Sequence, residues 1–306
     1  MENHPLKIIS SGEEVVNIGK FPSWLHRKLP KGGTLFQTNE VIKKKRLHTV
    51  CEEAKCPNLL ECYSKKTATF LIMGRECTRA CSFCDIDFSR APKALDNDEP
   101  RHIAESVQEL GLKHVVITMV ARDDLSDGGA HHLVKVMEAV RSHSPDVTIE
   151  VLTSDFDGNK VALRTIIEAY PEIFNHNIET VPRLTAKVRF KATYERSLDM
   201  LTTAKEMRSE QLVKSGLMVG LGETKDEIVA TLGDLAAIGV DIVTMGQYLQ
   251  ASRKKLPVKE YIHPDLFKEY EEIGKSFGIP YMYTGPFVRS SYNANVIIRN
   301  MTINSD

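Results

Sequence analysis

The chain has 306 residues, enough to bury a sizeable core in one large α/β domain or two smaller ones. Hydrophobic residues make up 42% and charged residues 26%, a balance that excludes a mainly disordered chain. Forty basic and 41 acidic residues leave a formal charge of −1, so no overall positive charge favours nucleic acid or a membrane as a partner. The sequence shows no apolar run typical of a membrane span and no signal or transit peptide, and we expect a cytoplasmic protein.

In chain order, the first predicted helix covers residues 38–47, with Thr38 or Asn39 as its N-cap. Six apolar, β-rich runs then cover residues 69–73, 114–119, 147–152, 173–178, 212–219 and 241–245. Helical patterns follow these runs at residues 100–110, 130–143, 160–170, 194–207, 225–238 and 264–277. For the first of them, Asp98 is a candidate cap and Gly111 a predicted stop.

Alternating strands and helices predict parallel pairing through right-handed crossovers. The near-continuous apolar character of the strands indicates a sheet covered by helices. The pattern is compatible with either a doubly wound sheet or an incomplete barrel. In both folds, ligands bind at the carboxyl ends of the strands.

The six cysteines all lie between Cys51 and Cys84. Disulfides are improbable in a reducing cytosol, so this cluster of thiols suggests a metal or an iron–sulfur site. The cysteines form two triplets, with the spacings C-x4-C-x5-C and C-x3-C-x2-C.

The second triplet is Cys77, Cys81 and Cys84, in the loop after the first predicted strand. Three thiolates around a four-iron cluster leave one iron open, whereas structural zinc takes four protein ligands. The motif in this position resembles the radical S-adenosylmethionine (SAM) superfamily. The resemblance implies an α/β fold of the incomplete (β/α)6 TIM-like barrel type, SAM bound at the open iron, and Phe83 near the adenine. A zinc or redox loop is the alternative.

The first triplet is Cys51, Cys56 and Cys62, which we interpret as the ligands of a second cluster. A zinc site completed by a histidine such as His48 is the alternative. The pair of triplets closely resembles the lipoyl synthase family. Further matching stretches are VARDDLSDGGA, NHNIETV, GLMVGLGET, GQYLQ and GPFVRSSYNA.

That resemblance implies two 4Fe-4S clusters, the auxiliary one held by the first triplet and by Ser291 of the RSSY motif. The implied reaction inserts sulfur from the auxiliary cluster at C6 and C8 of an octanoyl chain. The chain is carried on a lysine of a lipoyl carrier domain, and SAM provides the radical. The implied partners are 2-oxoacid dehydrogenase subunits, the glycine-cleavage carrier protein, a low-potential electron donor and an iron–sulfur cluster carrier.

Three further residues are candidates for binding SAM. Asn177 and Glu179 alternate with Ile178 at the end of a predicted strand, so their side chains are expected on the same side. Arg196 is a candidate to pair with the SAM carboxylate, because a guanidinium can bind a carboxylate through two parallel hydrogen bonds. Each has a structural alternative, as a loop residue or as an exposed helix arginine.

We expect three parts: an extension at residues 1–66 with the auxiliary triplet, a barrel at 67–284 and a tail at 285–306. Two alternative functions remain open. One is another radical SAM sulfur-inserting enzyme, such as a methylthiotransferase or a biotin-synthase-like protein. The other is a noncatalytic metal-binding or electron-transfer module.

Overall fold

The coordinates are those of a computed structural model, which describes residues 7–9, 21–26, 34–45, 47–65 and 67–292. Most of the extension before residue 34 and all of the tail beyond residue 292 lie outside the described residues. Within the described ranges, no helix is both long enough and apolar enough to cross a membrane.

The strands in chain order are β1 (Lys7–Ile9), β2 (His48–Thr49), β3 (Thr69–Ile72), β4 (Glu76–Cys77), β5 (Asp87–Phe88), β6 (His114–Met119), β7 (Thr148–Leu152), β8 (Ile173–Asn175), β9 (Leu212–Val219), β10 (Ile242–Gln247), β11 (Glu260–Ile262) and β12 (Tyr281–Gly285).

The α-helices in chain order are α1 (Thr34–Lys44), α2 (Val50–Glu53), α3 (Leu59–Ser64), α4 (Glu99–Leu110), α5 (Ala130–His143), α6 (Lys160–Glu168), α7 (Pro182–Val188), α8 (Tyr194–Met207), α9 (Lys225–Ala237) and α10 (Pro264–Ser276). Two short 3-10 helices, at Ser23–Leu25 and Phe156–Gly158, complete the described helical structure.

One sheet organises the molecule, with the strand order β12-β10-β9-β8-β7-β6-β3-β2. The strands from β3 to β12 in this sheet pair in parallel, and β2 pairs antiparallel with β3 at one edge. The order follows the chain without the reversal of a doubly wound sheet. In the described part of the chain the edge strands β2 and β12 do not pair, so the sheet is an incomplete TIM-like barrel.

The sheet is covered by amphipathic helices, as its apolar strands predict. All residues of β3, β6 and β10 are buried. Ile42 of α1 and Tyr63 of α3 belong to the same hydrophobic core as the barrel strands. The segment that carries the first cysteine triplet is therefore packed directly onto the barrel.

The six predicted strand–helix units are present, with small differences at their ends. Gly111 ends α4 in the left-handed conformation, with φ 65°, as predicted, but Asp98 makes no side-chain capping bond. The strand predicted over residues 173–178 ends at Asn175, and beyond it Ile178 donates its N–H to the Ser215 hydroxyl rather than to the neighbouring backbone. The sequence analysis missed α7 and the seventh parallel strand, β12.

The predicted first residue of the first helix was wrong. It begins at Thr34, so neither Thr38 nor Asn39 is its N-cap. Thr38 is fully buried inside the helix, where its hydroxyl donates a 2.9 Å hydrogen bond to the Tyr63 carbonyl. A buried tertiary contact therefore decides the role of this threonine.

Candidate active site

A cavity of about 360 Å³ lies at the carboxyl ends of the parallel strands. Its wall includes residues 118–121, which end and follow β6, and residues 152–155, which end and follow β7. All seven predicted cluster ligands line it: Cys51, Cys56, Cys62, Cys77, Cys81, Cys84 and Ser291. The fold thus brings both cysteine triplets and a serine from the far end of the chain to one cavity.

The loop of the second triplet is closed by its own small sheet. Met73 and Gly74, with φ 68° and 82°, turn the chain out of β3. Strand β4 then pairs in parallel with β5, which places Cys77 opposite Phe88. All three cysteines of the triplet lie between or on these two short strands, so the loop is held at both ends.

Backbone N–H groups already point at two of these sulfurs. Cys77 Sγ accepts from the N–H of Arg79, and Cys81 Sγ accepts from the N–H of Phe190, each at 3.4 Å. Burial raises the pKa of Cys77 and Cys81, and raises that of the Cys84 thiol to about 12. A metal that binds here must displace protons, and the N–H groups are placed to stabilise the resulting thiolates.

The first triplet is carried by two short helices next to the sheet edge. Thr49 ends β2 and caps α2, and its hydroxyl accepts from Glu52 N–H at 3.3 Å. Cys51 lies in α2 and Cys62 in α3, and burial raises their pKa values to about 12 and about 11. Because β2 pairs with β3, these helices lie beside the strand that leads to the second triplet.

The tail after β12 crosses to these helices. The Asn58 amide donates to the Phe287 carbonyl at 2.7 Å, and the Tyr292 hydroxyl donates to Glu61 at 2.8 Å. A Cβ on Gly246 of β10 would lie only 1.9 Å from the Val288 carbonyl oxygen. The tail therefore lies tightly against β10 and connects the two open edges of the barrel.

Asp85, which follows Cys84, joins three segments of the cavity rim. Its carboxylate forms a 2.5 Å ion pair with Lys55, the residue before Cys56, and accepts from the Ser252 hydroxyl at 2.8 Å. The pKa of Asp85 is lowered, chiefly by its hydrogen bond with Lys55. One carboxylate thus connects the two cysteine loops.

The predicted SAM-binding residues divide into two groups. Phe83, Asn177 and Glu179 line the cavity, and Asn177 Nδ2 donates to Glu179 at 3.1 Å. Burial raises the pKa of Glu179. The structure does not bring Arg196 to the described cavity wall, because its guanidinium is held by Asp157 at 2.8 Å and by Asp155 at 3.3 Å.

Several polar residues of the wall were not singled out from the sequence. Arg79 is buried and pairs with Asp155 at 2.6 Å and with Asp123 at 2.8 Å. Arg189 is also buried, and its guanidinium donates to two neutral oxygens, the Ser197 hydroxyl at 2.6 Å and the Ile178 carbonyl at 3.4 Å. Arg189 comes directly after α7. Because the sequence analysis did not predict α7, it could not predict that the Arg189 side chain faces the cavity.

The donor set suits iron–sulfur clusters. Among the described residues, no three His, Cys, Asp or Glu side chains converge closely enough to hold a single metal ion. A four-iron cluster is larger than one ion and holds its thiolates further apart. Two sets of three thiols and a serine that line one cavity are enough ligands for two such clusters.

Comparisons with known proteins show which family the chain resembles. A family model described as the Radical SAM superfamily matches residues 71–235. A lipoyl synthase from Protochlamydia amoebophila is 64% identical, over 97% of this chain and 96% of that protein. One from Chlamydia trachomatis serovar D is 54% identical, over 92% of this chain and 90% of that protein.

Among solved structures, Streptococcus suis SuiB bound to its precursor peptide SuiA aligns with a TM-score of 0.56 at 11% identity. The alignment covers 70% of this chain and 48% of that one, so this chain matches about half of SuiB. At this identity the likeness shows the fold alone.

Proposed function

The chain belongs to the lipoyl synthase family within the radical SAM superfamily, and from this premise we propose how its residues share the family's reaction. It is an enzyme that inserts two sulfur atoms, at C6 and C8 of an octanoyl chain on a lipoyl carrier protein. Its cofactors are SAM and 4Fe-4S clusters. The high identity to lipoyl synthases removes the methylthiotransferase and noncatalytic alternatives.

We assign Cys77, Cys81 and Cys84 to the SAM-cleaving cluster. The closed loop between β4 and β5 and the two N–H groups directed at sulfur support this assignment. We assign Cys51, Cys56, Cys62 and Ser291 to the auxiliary, sulfur-donating cluster. When bound, the first cluster supplies the electron that cleaves SAM and the second supplies the inserted sulfur.

One observation carries this proposal: both triplets and Ser291 line the same cavity. Radical chemistry needs the hydrogen-abstracting group and the sulfur donor close to one substrate carbon, with water excluded. A serine oxygen is a harder ligand than a thiolate and binds iron less firmly, which suits a cluster that must be opened.

For SAM, we propose that Phe83 contacts the adenine and that Asn177 and Glu179 bind polar groups. Arg189 is the better candidate for a carboxylate partner than Arg196, because it lines the cavity and donates its hydrogen bonds to neutral oxygens, while the carboxylates of Glu179 and Asp155 act on it through their charge. In this proposal Arg196 acts indirectly, by holding Asp155.

The octanoyl chain needs an apolar surface. Leu71, Met119 and Leu217 line the cavity beside the cysteines, and we propose that they contact the chain. Burying each methylene there contributes about 0.8 kcal/mol, enough to hold an eight-carbon chain in place.

We propose the same three parts as above: residues 1–66 with the auxiliary triplet, 67–284 for SAM cleavage and 285–306 for the final ligand. The proposed partners are octanoylated carriers of the 2-oxoacid dehydrogenases and of the glycine-cleavage system. The other proposed partners are an electron donor of low potential and an iron–sulfur cluster carrier. We propose neither nucleic acid nor a membrane as a partner. The proposed compartment is the cytoplasm.

The direct test uses anaerobic, reconstituted protein with SAM, a reductant and an octanoylated carrier domain. Mass spectrometry should show the octanoyl group gaining two sulfur atoms. A methylthio product, or an unchanged carrier in the presence of SAM cleavage, would contradict the proposal.

A further inference from the structure

A fully buried ion pair lies beneath the cavity, with no part in the reaction described so far. Lys214 of β9 donates to both carboxylate oxygens of Glu150 of β7, at 2.9 and 3.0 Å, and both side chains are completely buried. His114 of β6 lies 3.7 Å from the same carboxylate. Removing two charges from water costs free energy that their attraction does not always recover, so stability alone does not explain this pair.

Asn175 of β8 connects this pair to the cavity. Its Nδ2 donates to Glu150 at 2.7 Å and to the Ser290 hydroxyl at 2.8 Å. The Glu150 carboxylate can only accept, so Asn175 must turn its NH₂ group toward it. The second N–H of that group then points at Ser290.

Ser290 accepts one hydrogen bond and donates another. Its hydroxyl donates to Asn177 Oδ1 at 2.9 Å, and Asn177 Nδ2 donates to Glu179 at 3.1 Å. The Ser290 hydroxyl is therefore fixed from both sides, by one donor and one acceptor. Burial opposes the charge on Glu150, but the Lys214 ammonium outweighs it and lowers the pKa of Glu150 to about 2. At neutral pH Glu150 therefore remains ionised and accepts from Asn175, which keeps the Asn175 NH₂ group turned toward Glu150 and Ser290.

We propose that Ser290 is the positioning residue of the auxiliary site, and that Asn175, held by the buried Glu150–Lys214 pair, keeps it in place. Ser290 shares a peptide bond with Ser291, so fixing the first serine fixes the backbone of the second. The inference rests on the proposed role of Ser291 as a cluster ligand. It implies that the tail stays docked through Ser290 when Ser291 leaves its iron.

The test compares three variants of the full-length reconstituted enzyme: Ser290→Ala, Ser291→Ala and Ser276→Ala. Ser276 is a matched control, because its hydroxyl makes a 2.7 Å bond to the Ile273 carbonyl at the exposed end of α10. The readouts are the rate of iron release to a chelator, the Mössbauer spectrum, and SAM affinity. Thermal unfolding checks that each variant is folded.

Ser290→Ala removes a hydrogen bond that contributes about 1 kcal/mol. We therefore expect the iron of the auxiliary cluster, roughly half of the total, to leave this variant about fivefold faster than the parent enzyme. SAM affinity is measured alongside, because the Ser290 hydroxyl also bonds Asn177, and any loss of affinity should accompany the faster iron release rather than replace it. Ser290→Thr, which keeps the hydroxyl, should restore slow release. Asn175→Ala should reproduce Ser290→Ala, and Ser276→Ala should match the parent.

The outcomes separate the two proposals. If Ser291→Ala speeds iron release and Ser290→Ala does not, the positioning role is refuted and the ligand assignment survives. If neither variant changes release or the spectrum, the ligand assignment fails and the positioning role falls with it. If Ser290→Ala weakens SAM binding alone, Ser290 serves Asn177 instead, and the inference is overturned.

Discussion

The hydroxyl of Tyr292 donates a 2.8 Å hydrogen bond to the carboxylate of Glu61, across 231 residues of sequence. Tyr292 follows the proposed ligand Ser291, and Glu61 precedes Cys62. The bond therefore joins the neighbours of two proposed ligands of one cluster. Together with the bond from Asn58 to Phe287, it holds the tail against α3.

Tyr292→Phe should loosen this contact without disturbing the barrel. A hydrogen bond to a partly exposed carboxylate contributes about 1–2 kcal/mol, so local opening of the tail should increase about tenfold. Hydrogen exchange of residues 286–292 measures this opening. Tyr194→Phe is the matched control, because its hydroxyl bonds Asp234 at 2.8 Å between α8 and α9. Equal exchange in both variants would show that the Glu61 contact does not hold the tail.

Gly246→Ala should displace the tail more severely. The new Cβ would lie 1.9 Å from the Val288 carbonyl oxygen, a distance that backbone atoms must relieve by moving. We expect the variant to retain SAM cleavage but to lose most sulfur insertion, because Ser291 follows Val288 by three residues. The measurement is the ratio of 5′-deoxyadenosine to lipoyl product.

The control for that substitution is Gly233→Ala in α9. Its Cβ would meet Phe277 at 3.9 Å, an ordinary contact. Replacing a helix glycine with alanine should stabilise the fold by roughly 0.5–1 kcal/mol and leave the product ratio unchanged. Normal sulfur insertion by Gly246→Ala would remove the tail from the proposed mechanism.

Cys77→Ala and Cys51→Ala should fail at different steps. The parent enzyme should hold about eight irons, and each variant about four. Cys77→Ala should abolish SAM cleavage, whereas Cys51→Ala should cleave SAM without making lipoyl groups. Iron analysis and product analysis on the same samples check both statements. Lipoyl formation by Cys51→Ala would refute the auxiliary assignment.

His176 gives the fold a predictable acid sensitivity. It lines the cavity and is buried, with Nδ1 facing the Thr153 carbonyl at 2.9 Å and Nε2 facing the Ser197 hydroxyl at 3.1 Å. Burial and, to a smaller extent, the charge of Arg189 lower the pKa of His176 to about 4, against the opposing effect of Asp155.

The unfolded chain accepts this proton near pH 6.5, and the folded chain only near pH 4. The unfolded state therefore binds more protons in this window, and stability falls as the pH is lowered through it. Between pH 7 and 4.5 the contribution is about 2–3 kcal/mol. Urea unfolding should show that much less acid destabilisation in His176→Gln than in the parent chain. An equal loss in both would mean that His176 is not the group responsible.

The sequence predicted the barrel well because its signals are local. Apolar runs and helix periodicity depend on neighbouring residues, and β6, α5, α8 and β9 begin and end where they were predicted. The start of α1 and the existence of β12 depend on tertiary contacts, such as the bond from Thr38 to Tyr63. These contacts leave no periodic pattern in the sequence.

In the site, too, features with a local sequence signal were predicted and features that depend on tertiary contacts were not. The cysteine triplets were visible through their spacing, and Asn177 and Glu179 through their alternation about Ile178. Arg189 and Ser290 were not, since their importance arises from what lies opposite them in space. Arg196 was placed by its residue type alone, and its carboxylate partners, Asp155 and Asp157, come from a different strand–helix unit.

The crossing of the tail from β12 to α3 also has a consequence for how the enzyme is made. During synthesis all three proposed ligands of the SAM-cleaving cluster have left the ribosome once residue 84 has, whereas the proposed auxiliary set waits for residue 291. A chain terminated between residues 286 and 290 would keep the barrel and the proposed SAM-binding residues but lack the proposed ligand that completes its sulfur source. Placing the proposed ligand after the last strand of the barrel makes translation through residue 291 a condition for assembling the proposed sulfur donor.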